Sequence, residues 1–232
     1  MPSSARPAPS RPATSRPARS QRKGPAPTTV LLVRHGTTPT TGKILPGRAP
    51  GLHLADKGRA QARAVAERIA ALGTPPTAIY ASPLERTRET AAPIAAALKL
   101  RVRAAPGLVE ADVGDWTERS LSRLQRSKEW PTVQRWPSGF RFPSGESFAE
   151  MSTRAMEAVL ELVDAHRGET IVAVSHADPI KAIVATAVGA PLDLMQRLVI
   201  SPCSVSALLF TSQGPVVLCV NSTGQLSELV LS

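Results

Sequence analysis

Four candidate strands separated by helix-length stretches, each leading into a polar segment, constrain this chain more than any other feature. Thr29–Val33 is a short apolar, β-branched run that reads as a buried strand. Asp56–Leu72 follows with Ala62, Val65, Ala66, Ile69 and Leu72 at helical spacing. Ala78–Ala81 reads as a second strand, after which Ser82 is expected to cap a helix, with Pro83 in its first position and Glu85 completing a capping box. Arg101–Ala105 is a third candidate strand, and Ser147 with Glu150 forms another capping box, opening a helix to about His166. Thr170–Ser175 is a strongly apolar fourth strand, and Asp178–Pro179 is expected to open the next helix as a cap. Ser204–Thr211 and Pro215–Val220 read as a closing hairpin. Strands alternating with helices imply a three-layer α/β/α fold with a mostly parallel sheet. Such sheets bind ligands just beyond the carboxyl ends of their strands.

Residues 1–27 stand apart from this pattern. Arg6, Arg11 and Arg16 each begin an Arg-Pro-Ala unit, and the proline density together with the lack of apolar residues predicts a disordered tail ahead of a single domain at 28–232. The tail holds six basic residues and no acid, so of the formal charge of +10 only +4 belongs to the domain. A nucleic-acid partner would depend on that tail, which has no aromatic residue to stack on a base; no specific nucleic-acid partner is expected. No apolar run approaches membrane-helix length and no apolar signal core precedes the first strand, so a cytoplasmic protein without a membrane partner is expected. Cys203 and Cys219, both in apolar strand-like runs, read as buried free thiols, which suits a reducing compartment.

The strand ends carry the chemistry. The first runs into Arg34-His35-Gly36, the second into Ser82 with Arg86 a turn later, the third is followed by Glu110, and the fourth runs into His176. Two arginines match phosphate oxygens with planar, bidentate donors. With a second histidine they can hold a dianion and offset charge on its oxygens during phosphoryl transfer. A neutral imidazole can attack phosphorus, and a carboxylic acid can protonate the leaving oxygen and later draw a proton from water. Gly36 permits a tight backbone turn beside the bound group.

In this order the segments Leu-Val-Arg-His-Gly-Thr-Thr (32–38), Leu-Ala-Asp-Lys-Gly-Arg-Ala-Gln-Ala (54–62), Ser-Pro-Leu-Glu-Arg-Thr-Arg-Glu-Thr-Ala (82–91), Leu-Val-Glu-Ala-Asp-Val-Gly-Asp-Trp (108–116), Phe-Pro-Ser-Gly-Glu-Ser (142–147) and Val-Ser-His-Ala-Asp (174–178) resemble the histidine phosphatase superfamily, the phosphoglycerate mutase-like fold. The resemblance covers about residues 29–222 and is nearest to an actinobacterial-type group carrying phosphomutase and phosphatase labels. It implies a phosphohistidine at His35, with Arg34, Arg86 and His176 around the phosphate and Glu110 as proton donor. Gly36, Thr41 and Ala177 are further candidate substrate-binding positions. The expected substrate is a small phosphorylated metabolite, with no metal and no organic cofactor. Thr41 stands where the family often has asparagine. The stretch Gly114-Asp115-Trp116-Thr117-Glu118-Arg119 replaces the longer signature of mutases, which favours a phosphatase over a phosphoglycerate mutase-type phosphomutase.

Competing readings of the same residues are bland. His53 and His166 read as surface or helix-end histidines. His176 and Asp178 resemble a metal pair, but a helix cap accounts for Asp178. Cys203 is not followed by an arginine in a phosphate-loop pattern, so core packing accounts for it. The segment Arg119–Phe142, with six basic residues and Trp130 and Trp136, reads as a solvated basic helix or as a lid favouring anionic substrates. Glu146 reads as local structure near a cap, or as a residue lining the mouth of the site. A non-catalytic binding module built on the basic tail is a third reading, from another class, and has no need of Glu110.

Overall fold

The computed structural model describes residues 26–224, so the expectation of a disordered tail lies outside the described residues for 1–25. Eight strands and six α-helices follow in order: β1 (Thr28–Arg34), β2 (Ile44–Leu45), α1 (Asp56–Ala70), β3 (Ala78–Ala81), α2 (Glu85–Leu98), β4 (Val102–Ala104), β5 (Arg119–Ser120), α3 (Leu121–Leu124), α4 (Trp130–Arg135), α5 (Phe148–Ala165), β6 (Thr170–Ser175), α6 (Ala177–Ala187), β7 (Val205–Thr211) and β8 (Gly214–Ser222). The main sheet has the order β4-β3-β6-β1-β7-β8. β4, β3, β6 and β1 run parallel, and β7 and β8 add an antiparallel edge. Fold class and strand positions thus match the sequence pattern closely.

Both faces of the central strands β1 and β6 are buried, as parallel strands joined through helices require. Along β1, Leu31 and Val33 face a core shared with Val65 and Ile69 of α1 and Ile94 of α2. Val30 and Leu32 face the opposite core, filled by Ala155 and Val159 of α5 and Ile180 and Ile183 of α6. A third core lies to one side, where Trp116, Phe140, Phe142 and Phe148 meet Leu124, Val133 and Met151.

Register sets what stands together at the sheet's rim. Arg34 pairs with Ser175, so His35 and His176, the next residues on each strand, emerge side by side. Ala81 pairs with Val174, and the Ser82 amide donates to the Val174 carbonyl (3.0 Å), which brings Ser82 to the same edge.

Two caps differ from expectation. Helix α2 starts at Glu85 behind Leu84, with no side-chain cap. Ser82 lies too far ahead of the helix, and its hydroxyl faces His176 instead (2.8 Å). Helix α6 starts at Ala177 with His176 in the capping position, so Asp178 is a first-turn acid and not a cap; it pairs with Lys181. The capping box of Ser147 and Glu150 on α5 forms as expected. Cys219 lies in β8, but Cys203 sits in the turn before β7, where its amide donates to the Arg34 carbonyl (3.0 Å).

Close packing against the loop after β1 demands one glycine above others. Gly58 lies in the first turn of α1, where a Cβ would approach the Thr37 carbonyl oxygen to 2.0 Å. The Ala55 amide donates to that same carbonyl (3.0 Å), which ties the helix start to the loop. Gly58→Ala must therefore push α1 off the loop. The expected cost is about 1–3 kcal/mol of stability, as for other overpacked sites. It should be read as a lower urea midpoint at unchanged slope.

Candidate active site

The rim collects every side chain that the strand-end pattern selected. His35 is 6% exposed, and His176 and Arg86 are 0% exposed. The two imidazoles lie edge to face, with centroids 5.2 Å apart. Arg34 reaches across to donate from Nη1 to the Ile200 carbonyl (2.6 Å), and Arg86 Nη2 donates to the Gly47 carbonyl (2.8 Å).

Hydrogen bonding decides the state of His35. Its Nδ1 lies 2.8 Å from the Gly36 carbonyl, which can only accept, so Nδ1 carries the proton and Nε2 keeps its lone pair. Burial, together with the charges of Arg86 and Arg34, lowers the pKa of His35 to about 3. The ring is thus neutral near pH 7, with the electron pair on one nitrogen.

His176 is neutral for the same reasons, burial first and then the neighbouring Arg86. Its Nε2 meets the Ser82 hydroxyl, and with that hydroxyl donating, the proton sits on Nδ1, 3.9 Å from Glu110 Oε2. His176 Nδ1, Arg86 Nε and Nη1, and Arg34 Nε are buried and find no partner among the described residues. Buried donors are nearly always satisfied, and four clustered exceptions mark a place shaped for an acceptor-rich group. Two guanidiniums among them select an anion.

Glu110 stands over this cluster on the loop after β4. Burial, reinforced by the charge of Asp178, raises its pKa to about 7, against the opposing pull of Arg86, the Ala111 amide and Arg34. It can therefore carry a proton near neutral pH.

Three roles were not legible in the sequence. Arg48 Nε donates to the Glu110 carbonyl (2.8 Å), and its Nη2 donates to Glu146 Oε1 (2.9 Å). Arg154 Nη2 donates to the same carboxylate oxygen (2.8 Å), and its Nη1 donates to the Gly107 and Val109 carbonyls (2.6 and 3.1 Å). Glu146 Oε1 also accepts from the Asp112 amide (2.9 Å). Glu146 is therefore the hub of a clamp that holds the Glu110 loop, more than local structure near a cap. No local pattern announces it, because its members come from separate parts of the chain. Ser82 as the partner of His176 is the third role, hidden because Ser-Pro at a helix start looks like a cap.

The remaining candidates support the site at one remove. The Gly36 amide donates to Thr90 Oγ1 (3.0 Å), so it offers no free donor; a Cβ there would lie 2.7 Å from the Gly58 carbonyl oxygen. Thr41 Oγ1 accepts from the Thr38 amide (2.9 Å) and braces the loop after His35. Ala177 heads α6 and lines a cavity beside Arg34. His53 pairs with Glu89 on the surface, and His166 ends α5 against Tyr80 and Glu169. Burial pushes the Cys203 thiol up to about 12, which leaves it inert. Among the described residues no three His, Cys, Asp or Glu side chains cluster as metal ligands would, and no helix is long and apolar enough to cross a membrane.

Residues 30–223 match the histidine phosphatase superfamily (branch 1), and the chain belongs to that superfamily. An uncharacterised protein of Mycobacterium tuberculosis is 49% identical over 86 residues, which span 37% of this chain and only 42% of that relative. The probable phosphoglycerate mutase GpmB of Enterobacter sp. (strain 638) is 35% identical over 181 residues, 77% of this chain and 83% of that protein. The phosphoserine phosphatase of Entamoeba histolytica in complex with 3-phosphoglyceric acid superposes with a TM-score of 0.76 at 27% identity, over 84% of this chain and 98% of that one.

The cradle can be tested without turnover. Inorganic phosphate or vanadate should raise the melting temperature by mass action, and the shift should vanish in Arg86→Met, which keeps side-chain bulk. In the protein without added phosphate or vanadate the His35 ring resonances should not titrate between pH 8 and 5, since its pKa is lowered to about 3.

Proposed function

We propose that the chain is a metal-independent phosphomonoesterase that works through a phosphohistidine intermediate on a small phosphorylated metabolite. The observation that carries this reading is the set of four buried donors, without a partner among the described residues, gathered beside a neutral His35. Family membership and the likeness to a phosphoserine phosphatase support it.

In this mechanism the two arginines and His176 Nδ1 hold the phosphoryl oxygens. His35 Nε2 attacks phosphorus as the ester P–O bond breaks, and Glu110 gives its proton to the departing oxygen. Nδ1 stays bonded to the Gly36 carbonyl, which steadies the positive charge that the ring acquires. Water then attacks the phosphohistidine, gives a proton to the Glu110 carboxylate, and breaks the N–P bond. The sum is phosphomonoester plus water to alcohol plus inorganic phosphate. Arginine charge does the electrostatic work that a cation does elsewhere, so activity should persist under chelation. The free thiols Cys203 and Cys219 suit a reducing, cytoplasmic setting.

The 35% identity to a probable phosphoglycerate mutase favours a second reading, in which the phosphoryl group returns to the substrate before water arrives. Product analysis separates the two: the phosphatase releases inorganic phosphate, whereas the mutase interconverts phosphoglycerate isomers without release.

A rapid quench with labelled substrate should trap phosphate that survives alkali and is lost in acid, and His35→Ala should trap none. Full activity in His35→Ala would refute the mechanism.

Glu110 gives a second, independent test. Its protonated form is the acid, so kcat/KM for an alkyl phosphate should fall as pH rises through about 7. Glu110→Gln should cost about 10²–10⁴-fold in kcat/KM with an alkyl phosphate, the usual worth of general acid catalysis. The loss should be far smaller with nitrophenyl phosphate, whose leaving group departs without a proton. Equal losses would remove Glu110 from the role of acid.

A further inference from the structure

Beside the phosphate cradle lies a second chamber whose chemistry differs sharply from the cradle's own. It is a cavity of about 480 Å³ that meets the site at Arg34 and Ala177. That volume falls within the range of pockets that enclose an organic ligand. Its walls are Trp116, Trp130, Phe142, Leu121, Leu45 and Ile200, with the amides of Gln125, Gln134 and Gln196 between them.

The aromatic wall is backed by core. Trp116 packs edge-on against Phe142 (5.6 Å between centroids), and Leu124 and Val133 from α3 and α4 pack into the same cluster. The segment Arg119–Phe142 is therefore neither one solvated helix nor a basic lid. It is a broken strand-and-helix cap in which Leu121, Leu124, Trp130, Val133, Phe140 and Phe142 turn inward and Trp136 stays exposed, while Arg119, Arg123, Arg126, Lys128, Arg135 and Arg141 are exposed and absent from the cavity wall.

Charge in the wall is already spent. Lys181 pairs with Asp178 (3.2 Å) and donates to Gln196 (2.9 Å), and Arg34 belongs to the phosphate cradle. A carboxylate carried into this cavity would lose water and gain no uncommitted cation among the described residues, which is costly. An aromatic or alkyl group would gain apolar contact, and neutral hydroxyl or carbonyl groups would find amides.

We propose that this cavity receives the leaving group, and that the enzyme is selective for phosphomonoesters of bulky, uncharged, largely apolar alcohols over phosphoglycerates and other carboxylate-bearing esters. This rests on the phosphatase reading for the chemistry, but the binding preference stands separately.

Three primary-alkyl esters test it: n-propyl phosphate, 3-phenylpropyl phosphate and 3-phosphoglycerate. The expected kcat/KM for the phenylpropyl ester exceeds that for the propyl ester by about 10–100-fold, the worth of burying a phenyl ring, and 3-phosphoglycerate falls below both. Trp130→Ala should cut the phenylpropyl-to-propyl ratio about tenfold. Gln125→Arg, at an exposed position, should raise the ratio of 3-phosphoglycerate to propyl phosphate. Binding of 4-phenylbutylphosphonate against butylphosphonate, followed by tryptophan fluorescence, reads the cavity without turnover. A protein that prefers the phenyl phosphonate but hydrolyses nothing sinks the phosphatase reading alone. A wild-type preference for 3-phosphoglycerate, or equal binding of the two phosphonates, overturns the proposal.

Discussion

Parallel pairing of β1 with β6 is the constraint on which the rest depends. Its register sets Arg34 opposite Ser175, and the His35 amide continues the ladder to the Ser175 carbonyl (3.0 Å). A slip of one residue would send every core side chain of β1 to the opposite face. Because both faces are packed, by Leu31 and Val33 on one side and Val30 and Leu32 on the other, such a slip has nowhere to go. The register that satisfies the core is thus the one that aligns His35 with His176. The rigidity of the sheet becomes the precision of the site.

Around that axis the fold tolerates costly burial. Arg86 is fully buried with two guanidinium nitrogens unpartnered among the described residues, and its pKa is lowered by desolvation. An isolated buried cation is strongly destabilising. Glu85 offsets part of that cost through its charge, Glu110 does so only when ionised, and Gly47 accepts one hydrogen bond. Donors held in place without a protein partner need no reorganisation when a charged group develops between them, which is the basis of electrostatic preorganisation. The same field keeps His35 neutral, while burial and Asp178 keep a proton on Glu110. Burial thus pushes the base down and the acid up, the arginines lowering His35 further and Asp178 raising Glu110 against their pull, as division of labour between the two requires.

Two further layers refine this arrangement. The clamp of Arg48, Glu146 and Arg154 holds the loop that bears Glu110, so the acid is positioned by residues that touch its backbone and its neighbours. The aromatic cluster of Trp116, Phe140, Phe142 and Phe148 then supports the cap beside the site. Leu124, Val133, Phe140 and Phe142 of the cap face inward because they complete that cluster. The arginines of the same segment stay solvated because the cluster offers them no counter-charge.

The sequence by itself determined the alternation of strands and helices, the mostly parallel sheet, and the residues that meet at its rim. These follow from local rules: apolar runs, helical spacing, and the binding edge of parallel sheets. The capping box at Ser147 was equally legible, because both of its hydrogen bonds lie within one turn. What depends on distant partners was not. Ser82 reads locally as a cap and became the partner of His176, 94 residues away. Asp178 reads as a cap and became a charge that raises the pKa of Glu110. The clamp around Glu146, the tautomer of His35 and the apolar lining of the cap cavity likewise depend on which side chains meet in space. Only tertiary structure decided them, because burial and hydrogen-bond geometry, which set charge state and specificity, are properties of the packed chain and not of any one segment.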